Sequence, residues 1–123
     1  MSTIRLRRAE AVAIPFRITD PGGNLADRRV TWALAHDVGA TVALRKASAL
    51  LGQSTADVAI DSNTPNELAG SIHLAPDDFD ALPERTYLAS LWVDSGAGDD
   101  ACVTPGGCDV AVIEPTIDRE APP

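Results

Sequence analysis

The most reactive side chains of this 123-residue chain are the two thiols of Cys102-Val-Thr-Pro-Gly-Gly-Cys108. Thr104-Pro-Gly-Gly is a tight reversal, and it brings the two thiols face to face across a hairpin. Such a pair either closes a disulfide or stays as two free thiols. A disulfide over so short a loop stabilises only modestly, because short loops lose little closure entropy. A metal site would need two more ligands, and no histidine lies near in sequence. Neither cysteine has a neighbouring base to make it a nucleophile.

The two histidines are no better supplied. His73 alternates outward from Ile72 and Leu74, and His36 ends a strand next to Asp37. Neither is accompanied by a Ser or Cys in a recognised nucleophilic arrangement. Asp77, Asp78 and Asp80, like Asp20, Asn24 and Asp27, lack the spaced carboxylates and bidentate Glu of a calcium loop. Helix capping and turn formation account for them. The expectation is a protein that is not an enzyme, with no catalytic residue, cofactor, metal or small-molecule substrate.

Contact chemistry has better candidates. Arg5, Arg7, Arg8, Arg28 and Arg29 are clustered early in the chain. On a strand Arg5 and Arg7 share a face with Leu6 opposite, which makes a basic stripe. Arginine forks suit a partner's carboxylates, with ordinary surface charge as the alternative. Trp32 and Trp92 are core residues by default. Trp92 lies on the second face of its strand, where a neighbouring chain could cover it.

Composition bounds what positions these groups. Apolar residues make up 45% of the chain, yet 20 of them are Ala and five are aromatic. Large apolar side chains contribute roughly 1.5–3 kcal/mol each when fully buried, so this core leaves little surplus over chain entropy. A domain this lean gains stability from partners. The net charge of −8 argues against a nucleic-acid surface. Residues 1–46 carry net +4 and residues 47–123 net −12. That asymmetry either supports head-to-tail contact between copies or is mixed by strands that interleave. No apolar run is long enough for a membrane helix, and Met1-Ser-Thr-Ile-Arg-Leu-Arg-Arg has no apolar region behind its charges. Neither a signal peptide, a transmembrane segment nor a membrane partner is expected.

The periodicity is two. Val12, Ile14, Phe16 and Ile18 alternate with Ala13, Pro15, Arg17 and Thr19, and Pro15 marks an edge or an irregularity. Val30, Trp32 and Leu34 share one face of a second strand; Val42 and Leu44 point inward from a third. Residues 46–55 fit a helical turn or a loop. Residues 57–61 and 70–74 are short strands, with residues 62–66 a loop between them. Pro76 begins a helical turn that tucks Phe79 and Leu82 inward. Residues 86–94 form the longest strand, with Tyr87, Ala89, Leu91 and Val93 opposite Leu88 and Trp92. The last strand is expected over 108–117. Seven or eight short strands, frequent turn signals and one short helical turn near residues 76–82 describe an all-β, antiparallel β-sandwich. One domain covers 1–117, and 118–123 is a C-terminal tail.

Gly70-Ser-Ile-His-Leu, Ala75-Pro-Asp-Asp-Phe-Asp-Ala-Leu-Pro and Arg85-Thr-Tyr-Leu-Ala-Ser-Leu-Trp-Val, with Val110-Ala-Val-Ile-Glu-Pro closing, make a suggestive series. Together with Ile14-Pro-Phe-Arg-Ile-Thr-Asp, it resembles the immunoglobulin-like β-sandwich at the N-terminus of tailed-phage baseplate upper proteins. Arg85 stands where that family prefers Gly. The resemblance implies a non-enzymatic structural component of a bacteriophage virion, an adaptor or decoration in the baseplate, neck, tail or head surface. Its partners would be other virion proteins, in several copies of a symmetric assembly. It would be made in the host cytoplasm, and the cysteine pair would close after the particle leaves that reducing compartment. The alternative is a carbohydrate- or protein-binding sandwich of a bacterial surface or secreted protein.

Overall fold

The computed structural model describes residues 3–104 and 107–114. Nine strands form two sheets: β1 (Thr3–Arg7), β2 (Val12–Thr19), β3 (Arg29–Ala35), β4 (Val42–Ala47), β5 (Val58–Thr64), β6 (Glu67–Leu74), β7 (Thr86–Asp94), β8 (Ala101–Cys102) and β9 (Asp109–Glu114). The larger sheet has the order β1-β9-β7-β3-β4, with β8 also on β7; the smaller has the order β2-β6-β5. Every pairing is antiparallel except β1 with β9, which run parallel from Thr3↔Val110 to Arg7↔Glu114.

The alternation in sequence sets which faces meet. Val30, Trp32 and Leu34 on β3 are buried, as are Tyr87, Ala89 and Val93 on β7. From the other sheet Leu68, Ile72 and Leu74 point back at them, with Ile14 and Phe16 packed at the margin. The turn over Pro76–Ala81 is a 3-10 turn that closes one end of the sandwich, with Phe79 and Leu82 buried beneath it.

Two local expectations change. Val42 is 49% exposed rather than inward. The register slips between Leu34 and Ala35, so Leu44 faces Leu34 while Val42 pairs with outward-facing Ala35. The stretch 62–66 is not a loop. β5 runs on to Thr64 and meets β6 through a tight turn, with Glu67 N–H donating to the Thr64 hydroxyl at 3.0 Å. In the stretch 46–55 a second 3-10 turn spans Leu50–Gly52. The last strand ends at Glu114, and the expected continuation to Ile117 and the tail 118–123 lie outside the described residues.

Interleaving of the halves resolves the charge asymmetry. Basic β3 sits between β7 and β4, and six of the seven ion pairs among the described residues join a base in 1–46 to an acid in 47–114.

Candidate protein-contact face

The outer face of the larger sheet is concave because its floor is built from small residues. Thr31, Ala33 and Ala35 alternate outward from β3, and Leu88, Ser90 and Trp92 alternate outward from β7, in register as Thr31↔Trp92, Ala33↔Ser90 and Ala35↔Leu88. Taller groups stand at the margins: Arg29 at one end, Arg45 on β4, and Val38 and Val42 at the other. The hollow between them is about 620 Å³. Val38 is 82% exposed and Trp92 37% exposed, so large apolar groups face solvent at both ends. The Trp92 indole N–H donates to Ser90 Oγ at 2.9 Å, which fixes the ring over the strand.

Arg29 and Asp94, paired across β3 and β7, form a two-pronged ion pair: Nε donates to Oδ1 at 2.9 Å and an NH2 group to Oδ2 at 2.6 Å. The Gly96 N–H also donates to Asp94 Oδ2, at 3.0 Å. The hydrogen bonds from Arg29 outweigh burial and hold the Asp94 carboxyl below its ordinary range; the Arg29 guanidinium is raised in return, chiefly by the same bonds. Arg29 is therefore a fixed, largely neutralised element of the rim.

The six contact candidates from the sequence do not form one surface. Arg29 and Trp92 share the concave face. Arg5 and Arg7 point to the same side of the sheet from edge strand β1, their side chains 66% and 62% exposed and, among the described residues, held by no ion pair closer than 3.8 Å. Arg8 instead reaches inward along the chain ends, donating to the carbonyls of Phe79 at 3.2 Å and Glu84 at 3.3 Å, and so clamps the 3-10 turn. Arg28 lies at another margin, bound to Asn24 O at 2.6 Å and Asp99 at 2.9 Å. Cys102 and Cys108 are free, half-buried thiols. Among the described residues no group of three metal-ligating side chains comes together.

Two polar features escaped the alternation. Lys46 is in phase with inward Leu44, yet its ammonium reaches Asp78 at 2.8 Å and Asp57 at 3.5 Å, beneath the 3-10 turn. The Tyr87 hydroxyl accepts the Glu84 N–H at 2.8 Å and pins the entry to β7. The signal for the first was a lysine keeping the period of the buried positions; for the second it was a tyrosine just after the turn.

A buried Trp on an inner strand of the larger sheet and a tyrosine bonded back across the preceding corner recur in one sandwich class. No family model and no curated protein matches the chain. A solved structure of VGSC beta subunits, described as a photo-crosslinking study of their multimeric cell-adhesive interactions, does match in shape. It covers 94% of this chain and 91% of that chain, with a TM-score of 0.50 and 10% identity. The fold is an immunoglobulin-like β-sandwich. Within it, this chain departs from the disulfide that often staples such sheets. Ala89, two residues after Tyr87, stands where a cysteine would, and a cleft of about 220 Å³ bordered by Ile14, Phe16, Trp32 and Ala89 lies alongside. Among the described residues no helix is long and apolar enough to cross a membrane.

Proposed function

We propose that this domain is a non-enzymatic building block that docks on a second copy of itself through the concave face of its larger sheet, within a symmetric multi-copy assembly. The observation that carries the proposal is the self-complementary shape of that face. A floor of Thr31, Ala33, Ala35 and Ser90 lies between exposed Val38 and Val42 at one end and Trp92 at the other. A two-fold axis running across the strands lays the valine end of one copy over the tryptophan end of the next. Such a contact is isologous, the same patch serving both copies.

Area sets the strength of the contact. Five strands about 4.8 Å apart and about seven residues long give a patch of roughly 24 by 23 Å, or about 550 Å². A stable complex buries about 800 Å² per partner. A face of this size gives a weak pairwise contact that becomes firm only when many copies are held together. The lean, Ala-rich core fits a domain held in such an assembly. Within that reading, the resemblance of the Gly70–Val93 region to phage baseplate domains favours a structural component of a tailed-phage virion. The likeness to a protein studied for multimeric cell-adhesive interactions favours contact between copies as the mode of action.

The test is Ala33→Arg, which fills the floor from a half-exposed position without touching the core. Sedimentation equilibrium from micromolar to near-millimolar protein should show self-association for the native chain and a monomer for the variant. A native chain that stays monomeric throughout, or a variant that associates equally well, overturns the docking face. Mass spectrometry of purified phage particles tests the virion assignment, which falls if the chain is missing from them.

A further inference from the structure

We propose that Cys102 and Cys108 form a reversible intrachain disulfide that clasps the break between β8 and β9, beside the concave face. β8 and β9 lie on the same side of β7 and would be one continuous strand but for the excursion between them. Cys102 is partnered with Trp92, and Cys108 directly precedes Asp109, whose partner is Ala89. The two cysteines therefore bracket two strand positions of β7, a Cα separation of roughly 6.6 Å at about 3.3 Å per residue. That is within the range a disulfide spans. The Cys102 thiol already lies 3.4 Å from the carbonyl of Gly107, the residue joined to Cys108.

The excursion is anchored to the same stretch of β7. Val103 N–H donates to Leu91 O at 2.8 Å, and Leu91 N–H donates to the Thr104 hydroxyl at 2.7 Å. These bonds hold the Cys102 side of the break in place, so closing the bond asks for movement only on the Cys108 side. Both thiols are half-buried, open enough for a small oxidant to reach. Gly107 and Cys108 border the concave face, so the clasp fixes one of its margins.

The oxidant is a small disulfide of the glutathione class. One cysteine thiolate attacks glutathione disulfide, forms a mixed disulfide and releases one glutathione thiolate. The second cysteine thiolate then attacks the protein sulfur of that mixed bond, and the second glutathione leaves. Two protein thiols are oxidised, one glutathione disulfide is reduced to two glutathiones, and the two thiol protons pass through solvent to the leaving thiolates.

The experiment equilibrates the reduced, full chain with glutathione disulfide and glutathione, alkylates what remains, and weighs the products. The expected result is a monomer that loses both alkylable thiols, carries no glutathione, and regains both thiols with dithiothreitol. Cys102→Ser and Cys108→Ser should each trap one glutathione as a stable mixed disulfide. Two alkylable thiols surviving in excess glutathione disulfide, glutathione retained on the native chain, or a disulfide between chains overturns the proposal. The docking face is tested separately, because Ala33→Arg, which should abolish self-association, should still lose both alkylable thiols.

Discussion

Replacing Asp78 with Asn takes the negative charge from beneath a lysine that the fold points inward. Lys46 is 8% exposed and lies across from Trp32, on the core side of β4. Burial alone would lower its pKa. The hydrogen bond to Asp78 and the charges of Asp78 and Asp57 outweigh it, and the ammonium is raised. Asp78 mirrors this: burial pushes its carboxyl up, and Lys46 together with the Ala75 N–H pulls it below the ordinary range. Breaking a buried pair by removing one partner costs about 3–5 kcal/mol. Here Asp57 remains 3.5 Å from the ammonium. Its side chain is 46% exposed, so it returns about 1 kcal/mol or less. Asn keeps an oxygen for the Ala75 N–H, which Asp78 accepts at 2.7 Å, so the turn itself is retained. The expected loss at pH 7 is about 2–4 kcal/mol, a large part of the roughly 5–15 kcal/mol a domain possesses.

Urea unfolding of the native chain, Asp78→Asn and Asp78→Asn with Lys46→Met would measure it. The pH dependence follows from the directions of the two shifts. The lowered Asp78 contributes stability that is present above the unfolded carboxyl value, near 4, and lost as pH falls through the folded value beneath it. The raised Lys46 contributes stability present below the unfolded amine value, near 10.4, and lost as pH rises through the folded value above it. The gap between native and Asp78→Asn should therefore be flat from about pH 5 to pH 10 and shrink in acid. Adding Lys46→Met should restore most of the loss by removing the stranded charge. A penalty under about 0.5 kcal/mol at pH 7, or one that persists unchanged at pH 3, would refute the pairing as the source of stability.

Gly70→Ala should be among the most damaging single substitutions, because its Cβ would lie 1.8 Å from the Ala59 carbonyl oxygen, a backbone atom that cannot swing away. A loss above about 3 kcal/mol in urea unfolding is expected, and a loss within 1 kcal/mol would show that β5 can shift at its bulge. Tyr87→Phe keeps the buried ring but deprives the Glu84 N–H of its acceptor, at a cost of about 1 kcal/mol; unchanged unfolding would mean that water replaces the hydroxyl.

What was legible in the sequence was whatever repeats with period two. Val30, Trp32 and Leu34, or Ile72 and Leu74 around His73, could be assigned inward because the alternation has no competing explanation. Alternation alone turns Val42 inward, because the one-residue slip that reverses every side chain beyond it leaves no mark in composition. The break between β8 and β9 was hidden for a related reason. Thr104-Pro-Gly-Gly reads as a hairpin turn, whereas in the fold the chain leaves β7 and rejoins the same edge. The concave face was the hardest to see, since it depends on which small residues of β3 and β7 come into register. The sequence marks Arg29 and Trp92 individually, without the floor that lies between them.

The pairing of charges also bears on where copies can meet. Five bases of the first segment are spent on acids of the second, so the net −8 resides on carboxylates without such partners. Asp61 on β5, and Asp77 and Asp80 on the 3-10 turn, take no ion pair among the described residues, and all three are exposed. Copies approaching through β5 or through that end repel one another. The concave face sets Arg29 and Arg45 against Asp37, Asp94 and Asp100, which leaves it close to neutral. It is also the face that exposes Trp92, Val38 and Val42. Repulsion elsewhere and apolar area here act in the same direction: copies associating as proposed would meet across the face with the least charge to desolvate.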